Sequence, residues 1–243
     1  MPLMSRFLLN SSFKNVKIKL YKGGIMNKKF IIIVAIIMAF AFVGCNKKTE
    51  VKTDAELFGL SATNNMVVDK EAKTIKIFAL ANGKYLTEST RHGVVSDGGK
   101  FADKAVFRSF VKPADFHQAL LDIGAVPGNN MNKDNAETTL TEGSNLKLTF
   151  TWKDQESGKD INDVIKDSNG NPIQIRFSGN LDNANEKKTG CITCLDSCLV
   201  GITSNASYPY GSVEKAKTVE FNGNMENFPL DGEPVVITYE VVE

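Results

Sequence analysis

Apolar and polar residues alternate along much of the chain after residue 60, and this pattern predicts β-strands. In the clearest run, from Leu146 to Trp152, an apolar residue occupies every second position. Side chains of a strand point alternately to opposite faces, so this period indicates one buried and one solvated face. The same period recurs at Ile75 and Ile77; at Ile173, Ile175 and Phe177; and at Val235, Ile237, Tyr239 and Val241. We therefore expect half-buried antiparallel strands.

One segment departs from the strand pattern and predicts a helix near 113–123. Pro113 suits a first helical turn, and Gly124 suits the position just after the helix. Four apolar residues between them share one helical face: Phe116, Ala119, Leu120 and Ile123. A second, shorter helical turn is predicted to carry Cys191 to Cys198.

These elements together predict the fold class. We expect an α+β chain, predominantly antiparallel β-sheet and sandwich-like, with one main helix near 113–123. Glycine-containing turns separate the predicted strands: Asn82-Gly83, Asp97-Gly98-Gly99, Asn169-Gly170, Asn222-Gly223 and Asp231-Gly232. One domain over 61–243 is favoured over two, and the polar stretch 129–142 is either a boundary or a long loop.

The residues before position 60 have the pattern of an export signal. Lys28 and Lys29 precede an uncharged run of fourteen residues, 30–43. That run is too short to span a bilayer, which needs about 20 helical residues, so a secretory signal over 26–44 is the better interpretation. Residues 1–25 do not fit a signal peptide, and we expect them to be a mis-assigned upstream extension with Met26 as the true start.

The end of this signal resembles the lipobox of bacterial lipoproteins. Val43 and Gly44 precede Cys45, although Phe42 departs from the usual leucine. The resemblance implies that Cys45 is diacylated and becomes the new N-terminus. Two or three acyl chains anchor a protein stably. We therefore expect 45–60 to be a lipidated tether that holds the protein on the outer, extracytoplasmic face of the cell membrane.

The distribution of charge argues against nucleic acid as a partner. The chain has 29 basic and 28 acidic residues, but seven basic and no acidic residues precede Cys45. The remaining 22 basic and 28 acidic residues give the exported part a balance of −6. Phosphate binding needs a concentrated basic surface, which this composition does not indicate.

The Cys-rich segment 190–199 is the strongest candidate for chemistry. Cys191, Cys194 and Cys198 have the spacing C-x2-C-x3-C, and on a helix they fall within about 60° of one another. Four interpretations remain open: an iron–sulfur cluster, a redox-active or exchanging thiol pair, a zinc or other thiophilic metal site, and a disulfide that only braces a loop. The spacing equals the last three ligands of bacterial ferredoxins, but the leading cysteine is missing and Leu199 replaces the usual proline.

The two histidines are the candidates for a further ligand. His92 follows Arg91 in a loop-like segment, and His117 adjoins the apolar face of the predicted helix. Either could complete a zinc site, although each is also compatible with a plain structural role. No serine-nucleophile motif or pair of zinc histidines occurs. An enzymatic function therefore ranks below a binding or redox function.

Several segments resemble the YdjY-type bacterial lipoproteins. The resemblance is carried by 74–80, by 90–95, by 99–105 and above all by the helix segment 116–129, which ends in Gly-Ala-Val-Pro-Gly-Asn. The Cys-rich segment and the following 199–205 resemble the subgroup that carries this extra cluster. Some members are labelled ferredoxin-like, so the resemblance implies an envelope location and raises the iron–sulfur interpretation.

These observations lead to two hypotheses from different classes. The first is a membrane-anchored lipoprotein with a redox or metal centre at the three cysteines, serving electron transfer with an envelope redox partner. The second is a non-catalytic envelope binding module in which the cysteines brace a loop.

Overall fold

Residues 55–242 are described by the computed structural model, and they contain fourteen β-strands and three α-helices. The strands are β1 Glu56–Leu57, β2 Leu60–Ser61, β3 Met66–Asp69, β4 Thr74–Ala81, β5 His92–Ser96, β6 Ala105–Ser109, β7 Asn145–Trp152, β8 Gln155–Asp160, β9 Ile165–Asp167, β10 Ile175–Phe177, β11 Cys191–Cys194, β12 Thr203–Asn205, β13 Phe221–Gly223 and β14 Pro234–Val242. The helices are α1 Pro113–Asp122, α2 Ile161–Val164 and α3 Leu181–Lys187. These residues belong to one compact unit.

Eight of the strands form a closed barrel in the order β4, β14, β7, β10, β12, β11, β5 and β6, with β6 returning to β4. The pairs β5–β6 and β11–β12 are parallel, and the other six pairs are antiparallel. The short pairing of β10 with β7, in which Ile175 lies opposite Leu146, completes the ring. Strands β3 and β8 flank the barrel by pairing with β4 and β7.

The predicted fold class is therefore wrong. We expected an α+β, sandwich-like sheet with one main helix near 113–123. The structure is instead mostly β, its main sheet closes into a barrel, and the described residues contain three short helices. The alternating pattern could not distinguish the two, because it reports only that one face of each strand is buried. Closure depends on β10 pairing with β7, across about 30 positions of sequence, and no local pattern encodes that pairing.

The observed positions of individual strands and of helix α1 agree with the sequence predictions better than the fold class does. Strand β7 alternates buried and more exposed positions, as its pattern predicted. Helix α1 begins at Pro113, and Gly124 follows it with a φ of +84°, a left-handed conformation that glycine adopts without strain. The stretch 129–142 is a loop packed on the barrel by hydrogen bonds such as that from Asn129 N–H to the Ser178 carbonyl (2.8 Å).

The barrel interior holds the main core. Tyr239 of β14 is fully buried, and its hydroxyl lies 2.7 Å from that of Thr193 on β11, four strands away around the barrel. The Phe116 ring of α1 packs edge-on against Tyr239 with centroids 4.8 Å apart. Helix α1 therefore lies against the barrel interior and supports the back of strand β11.

Two further observations bear on the membrane predictions. Residues 1–54 and 243 lie outside the described residues, and with them the predicted extension, the signal peptide, Cys45 and most of the tether. Within residues 55–242, no helix is long and apolar enough to cross a membrane.

Candidate metal centre

The three cysteines of the Cys-rich segment converge, but on a strand and turn rather than a helix. Cys191 and Cys194 are the first and last residues of β11, and Cys198 lies in the turn that follows, so the predicted helical turn over Cys191 to Cys198 is wrong. The sulfurs share one small apolar cluster with Val95 of the neighbouring strand β5. This cluster is separate from the main core, to which Ile192 belongs.

A pair of β-bulges places these side chains on one face. Residues three apart on a regular strand point to opposite faces. Between the pairs Cys191–Val95 and Thr193–Val94, however, β11 advances two residues and β5 only one. Between Thr193–Val94 and Cys194–His92 the difference is reversed, with Gly93 as the extra residue of β5. Each strand thus turns a second side chain toward the cysteine cluster, Cys194 from β11 and His92 from β5.

His92 belongs to the site that this arrangement creates. Its Nδ1 lies 3.7 Å from the Cys191 sulfur. One ligand atom each from His92, Cys191 and Cys194 fall within 4.8 Å of one another. His92 is 4% exposed and the three cysteines are at most 1% exposed, so the site is closed to solvent. The two thiols and the imidazole of this group are donors that soft metal ions prefer, and Cys198, which contacts Cys194 but lies outside the group, is the nearest further thiol.

Cys194 is the central thiol. Its hydrogen bonds with Cys191 and Cys198, together with burial, raise its pKa well above the ordinary value. The same contact with Cys194 lowers the pKa of Cys191, and His92 lowers it further against the opposing effect of burial. Cys194 also lowers the pKa of Cys198, helped by the positive charge of Arg91. Of the three thiols, Cys194 therefore holds its proton most strongly, and Cys191 and Cys198 lose theirs more readily.

A buried ion pair stands beside the thiols. Arg91 donates from Nε and Nη2 to one carboxylate oxygen of Asp196, at 2.9 and 2.6 Å, and the other oxygen accepts from the Gly211 N–H at 3.0 Å. The guanidinium also lies 4.4 Å from the centre of the Tyr210 ring. Burial lowers the pKa of Arg91, but the nearby charges of Cys198 and Asp196 outweigh burial and raise it. Arg91 is thus a permanent cation next to the cluster.

Two segments close the site. Residues 96–101 run alongside 188–190, with hydrogen bonds from Ser96 N–H to the Gly190 carbonyl (2.8 Å) and from Lys100 N–H to the Lys188 carbonyl (3.2 Å). On the other side, the Asn180 amide donates to the Cys198 carbonyl at 2.8 Å. These contacts hold the Cys-rich segment in place, and such ordering lowers the cost of binding a metal there.

The structure places the residues that the sequence singled out at two separate positions. The structure brings together Cys191, Cys194, Cys198 and the candidate ligand His92, whereas His117 lies on α1 against the Phe177 ring, with centroids 5.1 Å apart. All three cysteines are free thiols, so neither of the disulfides considered for them is formed. Sequence reasoning missed Arg91 and Asp196. Arg91 precedes His92, and Asp196 lies between Cys194 and Cys198. These positions were the signal from which both residues could have been predicted to lie near the site.

The fold and the site define a class of protein: a closed β-barrel domain with a buried thiol and imidazole cluster on its outer wall. A sequence model of the YdjY domain matches residues 66–240. The chain is also 39% identical over 216 residues to "Uncharacterized protein YdjY" of Escherichia coli strain K12, covering 89% of this chain and 96% of the relative. No solved structure matches the chain. The chain belongs to the YdjY domain family, which confirms the resemblance.

Proposed function

We propose that this protein is a membrane-anchored, extracytoplasmic lipoprotein that carries an electron-transfer metal centre. The ligands are the thiolates of Cys191, Cys194 and Cys198 and the imidazole of His92. The observation that carries the proposal is the approach of one ligand atom each from His92, Cys191 and Cys194 to within 4.8 Å of one another inside a closed site.

The spacing of the ligands favours a single metal ion. A metal–sulfur bond of about 2.3 Å gives a tetrahedral edge of about 3.8 Å. His92, Cys191 and Cys194, whose ligand atoms lie within 4.8 Å of one another, would need only small side-chain shifts to match it. Cys198 lies outside this group of three, beside Cys194, and its side chain would have to move further to become the fourth ligand. The thiolates of a cubane iron–sulfur cluster bind different corners of a cube and stand further apart. One iron or copper ion therefore fits better than the iron–sulfur cluster considered from the sequence, and zinc is the redox-inert competitor.

The closure of the site favours electron transfer over substrate turnover. Four protein ligands leave no open position on a tetrahedral ion, and substrate chemistry at a metal needs such a position. An electron can leave a closed site through its wall, whereas a substrate cannot enter it. Rigid ligands also suit an electron carrier, because they change little between oxidation states.

The membrane location rests on the sequence around Cys45. A basic stretch, an apolar run and a lipobox-like Val43-Gly44-Cys45 support processing and lipidation at this residue. Mass spectrometry of the membrane-extracted protein should find Cys45 as a diacylated N-terminus. An N-terminal peptide that begins before Cys45 would contradict the lipoprotein assignment.

The metal centre is tested by isolating the full chain anaerobically in neutral detergent and measuring metal, acid-labile sulfide, thiols and the visible spectrum. About one iron or copper per chain, without sulfide and with a thiolate-to-metal absorption band, is the expected result. The triple variant with Ser at 191, 194 and 198 should lose both metal and absorption. Bound zinc, or three reactive thiols and no metal, would overturn electron transfer.

An open groove beside the barrel favours a second function, that of a binding module. The groove has a volume of about 540 Å³ and is lined by Thr138 to Glu142, Gln174, Arg176 and Ala206. Its loop is tied to the Cys-rich segment by a hydrogen bond from the Thr141 N–H to the Ser197 hydroxyl (2.9 Å). In a binding module, the cysteines would brace this groove. The triple serine variant would then lose stability. It would show no change in redox behaviour, because the unaltered protein would have no redox signal.

A further inference from the structure

Phe101 lies between the candidate ligand His92 and solvent. The Phe101 ring stacks on the His92 imidazole with centroids 4.7 Å apart and planes inclined by 24°. His92 is buried, while Phe101 is only partly buried. A single aromatic ring therefore separates a ligand of the centre from the surface.

Two lysines lie over this ring, and a third lies on the neighbouring segment. The ammonium groups of Lys100 and Lys104 lie 5.5 and 5.6 Å from the centre of the Phe101 ring. Lys188 is adjacent, because its carbonyl accepts the N–H of Lys100 at 3.2 Å. All three lysines are exposed. We call Phe101 and these three lysines the Phe101 patch.

The positive charge of the Phe101 patch is available to a partner. Among the ion pairs between described residues, none involves Lys100, Lys104 or Lys188. The nearest acids on the same segment, Asp97 and Asp103, both contact Arg108, at 3.2 and 3.3 Å. The exported part of the chain has a balance of −6, so this local positive charge opposes the overall charge.

We infer that the Phe101 patch is the docking surface for an acidic one-electron carrier protein. The inference rests on the proposed function. An apolar contact ringed by charge is suited to a brief encounter that electrostatic attraction accelerates. One electron passes from the reduced metal ion through His92 and Phe101 to the partner's oxidised centre. The metal ion is oxidised, the partner is reduced, and no bond or proton moves.

The test uses small oxidants of opposite charge on the full chain in neutral detergent. After reduction with dithionite and its removal, the centre is oxidised in a stopped-flow instrument by hexacyanoferrate(III), an anion, or by hexaammineruthenium(III), a cation. Added salt should slow oxidation by the anion and accelerate oxidation by the cation. The net charge of −6 on residues 45–243 predicts the opposite salt dependence for both oxidants if only the overall charge of that part acts on them.

Charge-reversal variants test whether the lysines of the Phe101 patch cause this dependence on the charge of the oxidant. Lys100→Glu combined with Lys104→Glu should slow the anion about tenfold and accelerate the cation. Lys147→Glu combined with Lys166→Glu, which changes the charge equally at exposed positions of β7 and β9, should leave both rates within about twofold. An unchanged absorption band in each variant shows that the centre itself is intact.

The outcomes separate the inference from the proposed function. Equal effects of the two charge reversals, or an anion rate that rises with salt in the unaltered chain, would overturn the docking surface while electron transfer at the centre stands. The absence of any centre that dithionite reduces would overturn both. If vesicles of phosphatidylglycerol block the anion and the Lys100→Glu, Lys104→Glu variant escapes that block, the patch faces lipid and the inference is wrong.

Discussion

At the scale of single residues, Cys194 influences how readily each of the three thiols loses its proton. Its pKa is raised and those of Cys191 and Cys198 are lowered, so Cys194 is the last of the three thiols to lose its proton. A metal ion binds thiolates, and binding must therefore release the Cys194 proton. We expect binding to release this proton but fewer protons than three ordinary thiols would, with an affinity that rises with pH while Cys194 is protonated in the metal-free site.

Calorimetry in buffers of different ionisation enthalpy measures this release directly. The Cys194→Ser variant is the matched control, because a serine hydroxyl keeps its proton and the release should fall by about one proton per ion. Release of three protons per ion would show that all three cysteines are ordinary thiols before binding.

Arg91 and Asp196 form the second feature at this scale. Their side chains are 7% and 0% exposed, so removal of one partner leaves a buried charge without compensation. Arg91→Met should lower the free energy of unfolding by about 3–5 kcal/mol. Asp196→Leu should have a similar effect. The double variant Arg91→Met with Asp196→Leu should recover much of the loss, because neither charge remains.

Urea unfolding of the three variants measures these differences. Additive losses in the double variant would contradict the ion-pair explanation. This pair also shows why the sequence predicted the site only in part. Close spacing indicated that the cysteines converge, but Arg91 and Asp196 are 105 positions apart, and only the packing of their two segments brings them together.

At the scale of elements, the site is covered by the segment 96–101, whose backbone lies in close contact with that of Gly190 at Gly99. A Cβ added to Gly99 would lie 2.5 Å from the Gly190 Cα and 2.6 Å from the Thr189 carbonyl oxygen. Gly99→Ala must therefore push the segment 96–101 away from the Cys-rich segment. We expect metal-free Gly99→Ala protein to be alkylated at its cysteines at least about tenfold faster, which corresponds to about 1.4 kcal/mol of easier opening.

Gly98→Ala is the matched control, because a Cβ at Gly98 meets nothing within 4 Å. Iodoacetamide labelling followed by mass spectrometry gives both rates. Equal rates for the two variants would mean that this backbone contact does not limit access to the thiols.

The same scale explains the incorrect helix over Cys191 to Cys198. A helix brings residues three and seven positions apart to one face without any special device, so it was the simplest route to convergence. The structure reaches the same result with two compensating bulges, in which Gly93 of β5 supplies one extra residue. Bulges depend on the partner strand, and therefore the sequence of β11 alone does not reveal them.

At the scale of the whole molecule, closure of the barrel is what connects the site to the core. Strand and turn positions could be predicted from local patterns, whereas the pairing of β10 with β7 depends on contacts between distant segments. A closed barrel has no free edge along this ring, so β11 lies between two paired neighbours, β5 and β12. The ligands therefore stand on a wall that is held on both sides.

The Tyr239 hydroxyl joins opposite walls of this barrel and gives the last prediction. It lies 2.7 Å from the Thr193 hydroxyl, which is itself 2.8 Å from that of Thr203. Tyr239→Phe removes one buried hydrogen bond but leaves Thr193 paired with Thr203, so we expect a loss of only about 1 kcal/mol of unfolding free energy. Thr193→Val removes the shared partner of both hydroxyls and should cost more, about 2–3 kcal/mol. Urea unfolding compares the two. A larger loss for Tyr239→Phe would show that the contact across the barrel, rather than the pairing of β11 with β12, holds the wall that carries Cys191 and Cys194.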